Sequence, residues 1–182
     1  MLLKPAVIVI DMLEEFVRGR LRSPEAEEII PVIKRIIDKA REKNIPVIYV
    51  ADNHYPVDHE LRVWGPHALK GSSEARIIEE LAPGEKDYVL YKRSYSGFRD
   101  TGLDMLLRDL GVDTVILTGI HTHICVLHTA WDAFYHGYRI IIPRDAVAAF
   151  SREDHEYALK YMEKVYGAEV TDSSRVLEML GQ

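Results

Sequence analysis

Short apolar runs alternate with helix-forming segments along this chain, and that alternation constrains its fold more than any other feature. Ala6-Val7-Ile8-Val9-Ile10 is apolar, mostly β-branched and too short for a buried helix, so it reads as a strand buried on both faces. Further strands are expected at Pro46 to Ala51, Asp87 to Tyr91, Thr114 to Thr118, Tyr138 to Ile142 and, briefly, Glu169-Val170. Ser23-Pro24-Glu25 opens the first long helix: a cap, a proline suited to the first turn, then acids at the positive end. Ile29, Ile30, Ile33, Ile36 and Ile37 supply its apolar stripe. A long irregular stretch over roughly 52–72 follows the second strand, and loops of that length are usually functional. Other helices are expected at Ile77 to Leu81, at Leu103 to Leu110 with Gly111 as its stop, at 123–136 before Gly137, at Glu153 to Tyr166, and at the C-terminus. Strands alternating with helices imply a parallel sheet covered on both faces. Right-handed crossovers make it a doubly wound three-layer α/β sandwich. No repeat, low-complexity tract or linker divides residues 1–182, which are expected to form one domain.

Composition removes several classes of function. With 47% apolar and 29% charged residues the chain is globular and not disordered. No apolar run approaches the ~20 residues that span a bilayer, so no membrane partner is expected. The opening MLLKPAVIVI reaches Asp11 and Glu14 too soon for a signal peptide. A net charge of −6 with mixed signs offers no basic face for nucleic acid. Cys125 is the only cysteine and cannot form an internal disulfide, which fits a cytoplasmic protein. Gln182, Asn44 and Asn53 are the only amide side chains among many Glu, Lys and Arg, a thermophile pattern.

Ligands of open parallel sheets bind beyond the carboxyl ends of the strands. The first strand ends at Asp11, the second at Asp52 with His54 two residues on, and the third at Lys92. The fourth runs into Gly119-Ile120-His121-Thr122-His123-Ile124-Cys125, where the cysteine opens a helix. Taken alone, Cys125 reads as a small buried hydrophobe, Asp11 as a loop cap and Lys92 as a surface cation. Their coincidence on one rim points to chemistry. A helix N-terminus and Lys92 would both favour a Cys125 thiolate of depressed pKa. Asp11 is placed to take the thiol proton and later hand it to a leaving amine. Asp52-x-His54, with His67 beyond the loop, forms a carboxylate–imidazole set suited to one divalent ion, zinc first, with iron or manganese as alternatives. Asp58, His59 and Glu60 in the same loop are all open candidates for a fourth or outer ligand.

These residues carry a resemblance. Asp11…Lys92…Cys125 resembles the catalytic triad of the isochorismatase-like cysteine hydrolases. Asp52-x-His54…Trp64-Gly65-Pro66-His67 is similar to the metal site of the nicotinamidases within that superfamily. Asp11-Met12-x-x-x-Phe16, Tyr95-Ser96-Gly97-Phe98 and Gly119-x-x-Thr122-x-x-Cys125 match its other motifs. The resemblance implies a six-stranded parallel sheet and hydrolysis of a small carboxamide. It implies Cys125 as nucleophile, Asp11 as base and acid, Lys92 as electrostatic partner, and the backbone N–H groups of His121 and Cys125 as oxyanion hole. It implies a cis peptide before His121, Phe16 and Trp64 as substrate-binding aromatics, and a homo-oligomer, dimeric or tetrameric. The chain departs from the pattern at Leu13, where Gln is common, and at His121, where nicotinamidases usually carry Ala. The loop from His54 to His67 is also short. The expected reaction is nicotinamide to nicotinate and ammonia through an acyl-thioester; the alternative is an N-carbamoylsarcosine amidase-like or other amidohydrolase. True isochorismatases lack the cysteine, and a protein that only binds would not need Asp11 and Lys92 beside it.

Overall fold

Val7 and Val9 face one side of the first strand, Ala6, Ile8 and Ile10 the other, and all five are buried. That burial on both faces is what a central parallel strand requires. In the computed structural model, which describes residues 3–181, this strand is β1 (Pro5–Ile10). It lies between β2 (Val47–Asp52) and β4 (Thr114–Ile120), each parallel to it. β3 (Tyr88–Lys92) flanks β2, while β5 (Arg139–Pro143) and then β7 (Glu169–Thr171) extend the other side. The strand order β3-β2-β1-β4-β5-β7 is doubly wound, and it reverses between β1 and β4.

The expected sheet of six strands gains a seventh. Val147–Ala148 forms a two-residue strand, β6, that pairs with Gly119 and Ile120 at the carboxyl end of β4. Two residues are too few for a periodic pattern to reveal.

The helices close both faces. α2 (Ala26–Glu42) packs its isoleucine stripe on one side, Ile29 to Ile37 all buried as their spacing demands, and α7 (Ser173–Gly181) joins it there. Each of those isoleucines stabilises the fold by roughly 1.5–3 kcal/mol. α4 (Leu103–Asp109), α5 (Leu127–Tyr135) and α6 (Arg152–Tyr166) cover the opposite face. Two single-turn helices, α1 (Glu14–Val17) and α3 (Leu61–Trp64), lie above the strand ends, the latter inside the stretch expected to be irregular. Ile77 to Leu81 is reduced to a 3-10 turn over Glu79–Leu81. α2 begins after Ser23 and not with it: the Ser23 hydroxyl donates to the Ala149 carbonyl (2.7 Å), tying this helix entry to the segment after β6. Among the described residues no helix is long and apolar enough to cross a membrane.

Register brings the strand ends level. Ile10 pairs with Gly119, and Asp52 with Lys92. At Gly119, where φ is +107°, a Cβ would stand 2.0 Å from the Ile10 carbonyl oxygen, so only glycine lets β1 and β4 meet at the reversal point.

Candidate active site

Lys92 ends β3 with its side chain fully buried, so its ammonium must find counter-charges inside the protein. Its Nζ lies 2.7 Å from Asp11 Oδ2, 2.5 Å from Asp52 Oδ1 and 3.6 Å from Cys125 Sγ. Asp11 follows β1 with φ of 50°, and its Oδ1 accepts the Asp52 backbone N–H at 2.8 Å. The three expected residues therefore meet, and Asp52 joins them.

One cation between two buried carboxylates leaves one negative charge in excess, and the protonation states follow from that imbalance. Burial and the neighbouring Asp52 charge raise Asp11 to about 7, against the pull of Lys92. Burial also works against an ionised Asp52, but Lys92 and His54 outweigh it and hold Asp52 below its ordinary value. Cys125 overturns the sequence expectation of a depressed thiol pKa. Burial pushes the thiol well above its ordinary value; Lys92 opposes the shift, and the charges of Asp11 and Asp52 add to it. Cys125 therefore rests as a neutral thiol with the Asp11 carboxyl beside it.

Cys125 does not open a regular helix. Thr122–Val126 is a π-turn that leads into α5, a local geometry frequent at functional sites. In it the N–H groups of Ile124 and Val126 both reach the His121 carbonyl, at 3.0 and 3.2 Å. The turn sets the backbone N–H groups of His121 and Cys125 at its entry and beside the thiol, and successive N–H groups of a turn can cradle an anion. The Ile120–His121 peptide is cis, as the resemblance implies.

Next to this group, Asp52, His54, Glu60 and His67 bring one ligand atom each within 4.8 Å of one another. His54 Nδ1–H donates to Asp58 Oδ2 (3.1 Å) and His67 Nδ1–H to the Gly65 carbonyl (2.8 Å). These bonds leave both Nε2 lone pairs available, as the acceptors behind metal-ligating histidines do. Asp52 Oδ2 and His54 Nε2 are buried without a hydrogen-bond partner, which is costly unless a cation sits between them. Burial pulls the pKa of both histidines down, yet the surrounding acceptors and carboxylates raise it: Asp52, Asp58 and Glu60 at His54, Glu60 and Gly65 at His67. The donor set thus fits a divalent metal. It also separates the three loop candidates. Glu60 faces the two Nε2 atoms, at 3.9 Å from His54 and 3.7 Å from His67. Asp58 stands behind His54, held well ionised, at about 2, by Arg93. His59 is exposed.

The thiol and three of the four donors, Asp52, Glu60 and His67, line a shared cavity of about 20 Å³. Phe16 and Trp64 line it, together with Tyr95, His121, Ile124 and Phe150. Trp64 Nε1–H donates to the Tyr95 hydroxyl (3.0 Å). Phe150 escaped sequence reasoning because it follows the unforeseen β6. The only signal was the apolar run Ala146 to Ala149 before it.

His121 contributes its ring as well as its N–H. Its Nε2–H donates to the Leu21 carbonyl (3.0 Å), and its ring lies 4.1 Å from Phe150 and 5.4 Å from Phe16. Burial, with His123 nearby, lowers it to about 3, so it is neutral in the folded protein. The unfolded chain binds a proton there below ~6.5 and the folded one does not until about 3, so His121 makes stability fall as pH falls through that window. His121→Phe is expected to flatten this dependence by an amount on the order of 4 kcal/mol between neutral pH and pH ~3.5. Urea unfolding of both proteins across that range measures it. Parallel curves would show that His121 is not the buried neutral base.

A family model described as Isochorismatase domain matches residues 5–175. The uncharacterized isochorismatase family protein YaaI of Bacillus subtilis (strain 168) is 37% identical over 175 residues, covering 95% of this chain and 96% of its own. The crystal structure of N-carbamoylsarcosine amidase from Thermoplasma acidophilum is 47% identical with a TM-score of 0.89, over 94% of this chain and 97% of that one. Pyrazinamidase of Pyrococcus horikoshii, solved in complex with zinc, is 33% identical with a TM-score of 0.84, over 93% and 99%. The family match runs from the first residue of β1 into α7, and the chain belongs to the isochorismatase family of hydrolases.

Proposed function

We propose that this chain is a cysteine amidohydrolase that converts a small carboxamide, nicotinamide first, to its carboxylate and ammonia. The observation that carries the reading is the buried contact of one ammonium with two carboxylates and the only thiol. Asp11 titrates near neutrality and so can both take and return a proton. As Cys125 Sγ attacks the carbonyl carbon, Asp11 accepts the thiol proton and Lys92 stabilises the developing thiolate. The N–H groups of His121 and Cys125 receive the oxyanion. Asp11 then donates its proton to the leaving nitrogen, ammonia departs, and a thioester remains. Asp11 next takes a proton from water, which attacks the thioester, and Cys125 leaves as thiol.

Asp52, His54, Glu60 and His67 would hold the divalent ion, zinc first, which would supply a Lewis-acid anchor for a ring nitrogen. Phe16 and Trp64 would flank the bound ring. Such anchoring would make attack by Cys125 effectively intramolecular.

A second reading, hydrolysis of an N-carbamoyl amine such as N-carbamoylsarcosine, is favoured by the His121 ring in the cavity and by the likeness to the Thermoplasma acidophilum amidase. Ammonia release from nicotinamide, pyrazinamide and N-carbamoylsarcosine separates the two. Elemental analysis is expected to find about one transition metal per chain, and both His54→Ala and His67→Ala to lose it. Each variant should raise KM for nicotinamide by about tenfold or more, the range for a disturbed metal shell. Metal-free protein, or nicotinamide turnover indifferent to both substitutions, transfers the assignment to the second reading.

A further inference from the structure

β3 ends on two consecutive cations that serve different partners. Lys92 is buried and reaches Asp52 Oδ1 at 2.5 Å, whereas Arg93, its side chain 54% exposed, grips Asp58. Arg93 Nε lies 3.1 Å from both carboxylate oxygens of Asp58, and one terminal nitrogen also donates to Oδ1. The guanidinium is itself held over the Tyr55 ring, 4.8 Å from its centroid. Asp58 is buried, and its Oδ2 also accepts the Tyr55 backbone N–H (3.0 Å) and His54 Nδ1–H (3.1 Å). A continuous chain of contacts therefore runs from the protein surface at Arg93 to the imidazole of His54, and the amide chemistry makes no use of it.

The surroundings of Asp58 show why that chain needs its outer end. An exposed ion pair contributes little stability by itself, but a two-pronged one fixes geometry. Asp58 borders an open cavity of about 660 Å³, which Glu60, Arg93 and Arg99 also line. A lone carboxylate at such an edge gains hydration by turning outward. His54 would then lose the acceptor that keeps its proton on Nδ1 and its Nε2 lone pair free. Arg93 engages both oxygens and removes that alternative. The two consecutive cations thus orient two donors that lie two residues apart in the chain, Lys92 acting on Asp52 directly and Arg93 on His54 through Asp58.

We propose that Arg93 is a positioning residue of the metal site, setting the affinity for the ion by locking Asp58 behind His54. This rests on the reading of Asp52, His54, Glu60 and His67 as metal donors. Arg93 touches neither the ion nor the substrate, and its effect passes through one carboxylate and one imidazole.

Competition for zinc against a chromophoric chelator tests the assignment without reference to substrate or turnover. Arg93→Met is expected to weaken zinc binding about tenfold or more, the range for a disturbed partner of a metal-binding histidine. Asp58→Asn should weaken it comparably. The two changes together should cost little more than the larger alone, because they cut the same chain of contacts. Arg93→Lys keeps the charge but cannot grip both oxygens, so it should recover part of the loss. Arg99→Met removes a neighbouring exposed cation from the same cavity and should leave zinc affinity unchanged. Circular dichroism checks that each variant is folded. A wild-type chain that holds no zinc removes the metal reading, and this proposal with it. A wild-type chain that holds zinc no more tightly than Arg93→Met does keeps the metal reading and overturns the role of Arg93. Equal losses from Arg93→Met and Arg99→Met also overturn it, since a general loss of positive charge would then be the cause. Fully additive losses from Arg93→Met and Asp58→Asn would show that the two residues act separately, and would overturn it as well.

Discussion

Cys125→Ala is expected to lower kcat by at least about a thousandfold while the protein stays folded, because removing a nucleophile typically costs several orders of magnitude. The sulfur lies in a buried position with Lys92 Nζ 3.6 Å away, and its removal leaves the Lys92 contacts to Asp11 and Asp52 in place. Loss of one small buried group destabilises by about 1 kcal/mol, so a thermal melt should shift only slightly. Burial and the two carboxylates keep the free thiol neutral, so iodoacetamide should label the resting enzyme slowly at pH 7 and faster as pH rises. Fast labelling at neutral pH would show that Lys92 outweighs burial after all. A variant that kept more than about a hundredth of the wild-type kcat would remove covalent catalysis from the mechanism.

That correction marks where sequence reasoning stops. Asp11, Lys92 and Cys125 were legible because strand–helix alternation fixes a parallel sheet, and a parallel sheet brings its carboxyl ends to one rim. No distances are needed for that step. The sign of the thiol shift needs them: it depends on burial, with Asp11 and Asp52 adding to it, and reading along the chain assigned Asp52 to metal binding alone. Asp52 in fact serves both groups, with Oδ1 toward Lys92 and Oδ2 toward His54 at 3.5 Å. The choice among Asp58, His59 and Glu60 was likewise invisible. All three lie within one turn of the loop, and only the start of α3 and the Arg93 contact to Asp58 decide which of them faces inward. β6 and Phe150 were missed because two residues of ladder carry no periodicity, although the tie from Ser23 to Ala149 holds that segment over the cavity.

Lys92→Met should damage both stability and turnover, and the pH dependence of the damage identifies the cause. Methionine keeps the length of the stem and removes the charge, so Asp11 and Asp52, each 1% exposed, are left facing one another without a cation. Stripping one partner from a buried ion pair costs about 3–5 kcal/mol. The pair escapes part of that cost by holding a proton, and Asp11, already lifted to about 7 by burial and Asp52, should rise further once the lowering influence of Lys92 is gone. A carboxyl whose folded pKa is raised binds more protons folded than unfolded, so its contribution to stability falls as pH rises from its unfolded value near 4 through its folded value. The destabilisation of Lys92→Met should therefore be smallest near pH 5 and largest above pH ~8. Turnover should fall at least about a hundredfold at pH 7, because a protonated Asp11 cannot accept the thiol proton and no cation remains to stabilise the thiolate. Urea unfolding at a series of pH values, paired with steady-state kinetics, measures both effects. If Lys92→Met stayed within tenfold of wild-type kcat, or lost stability equally at every pH, the ammonium would be filling space and not balancing the two carboxylates.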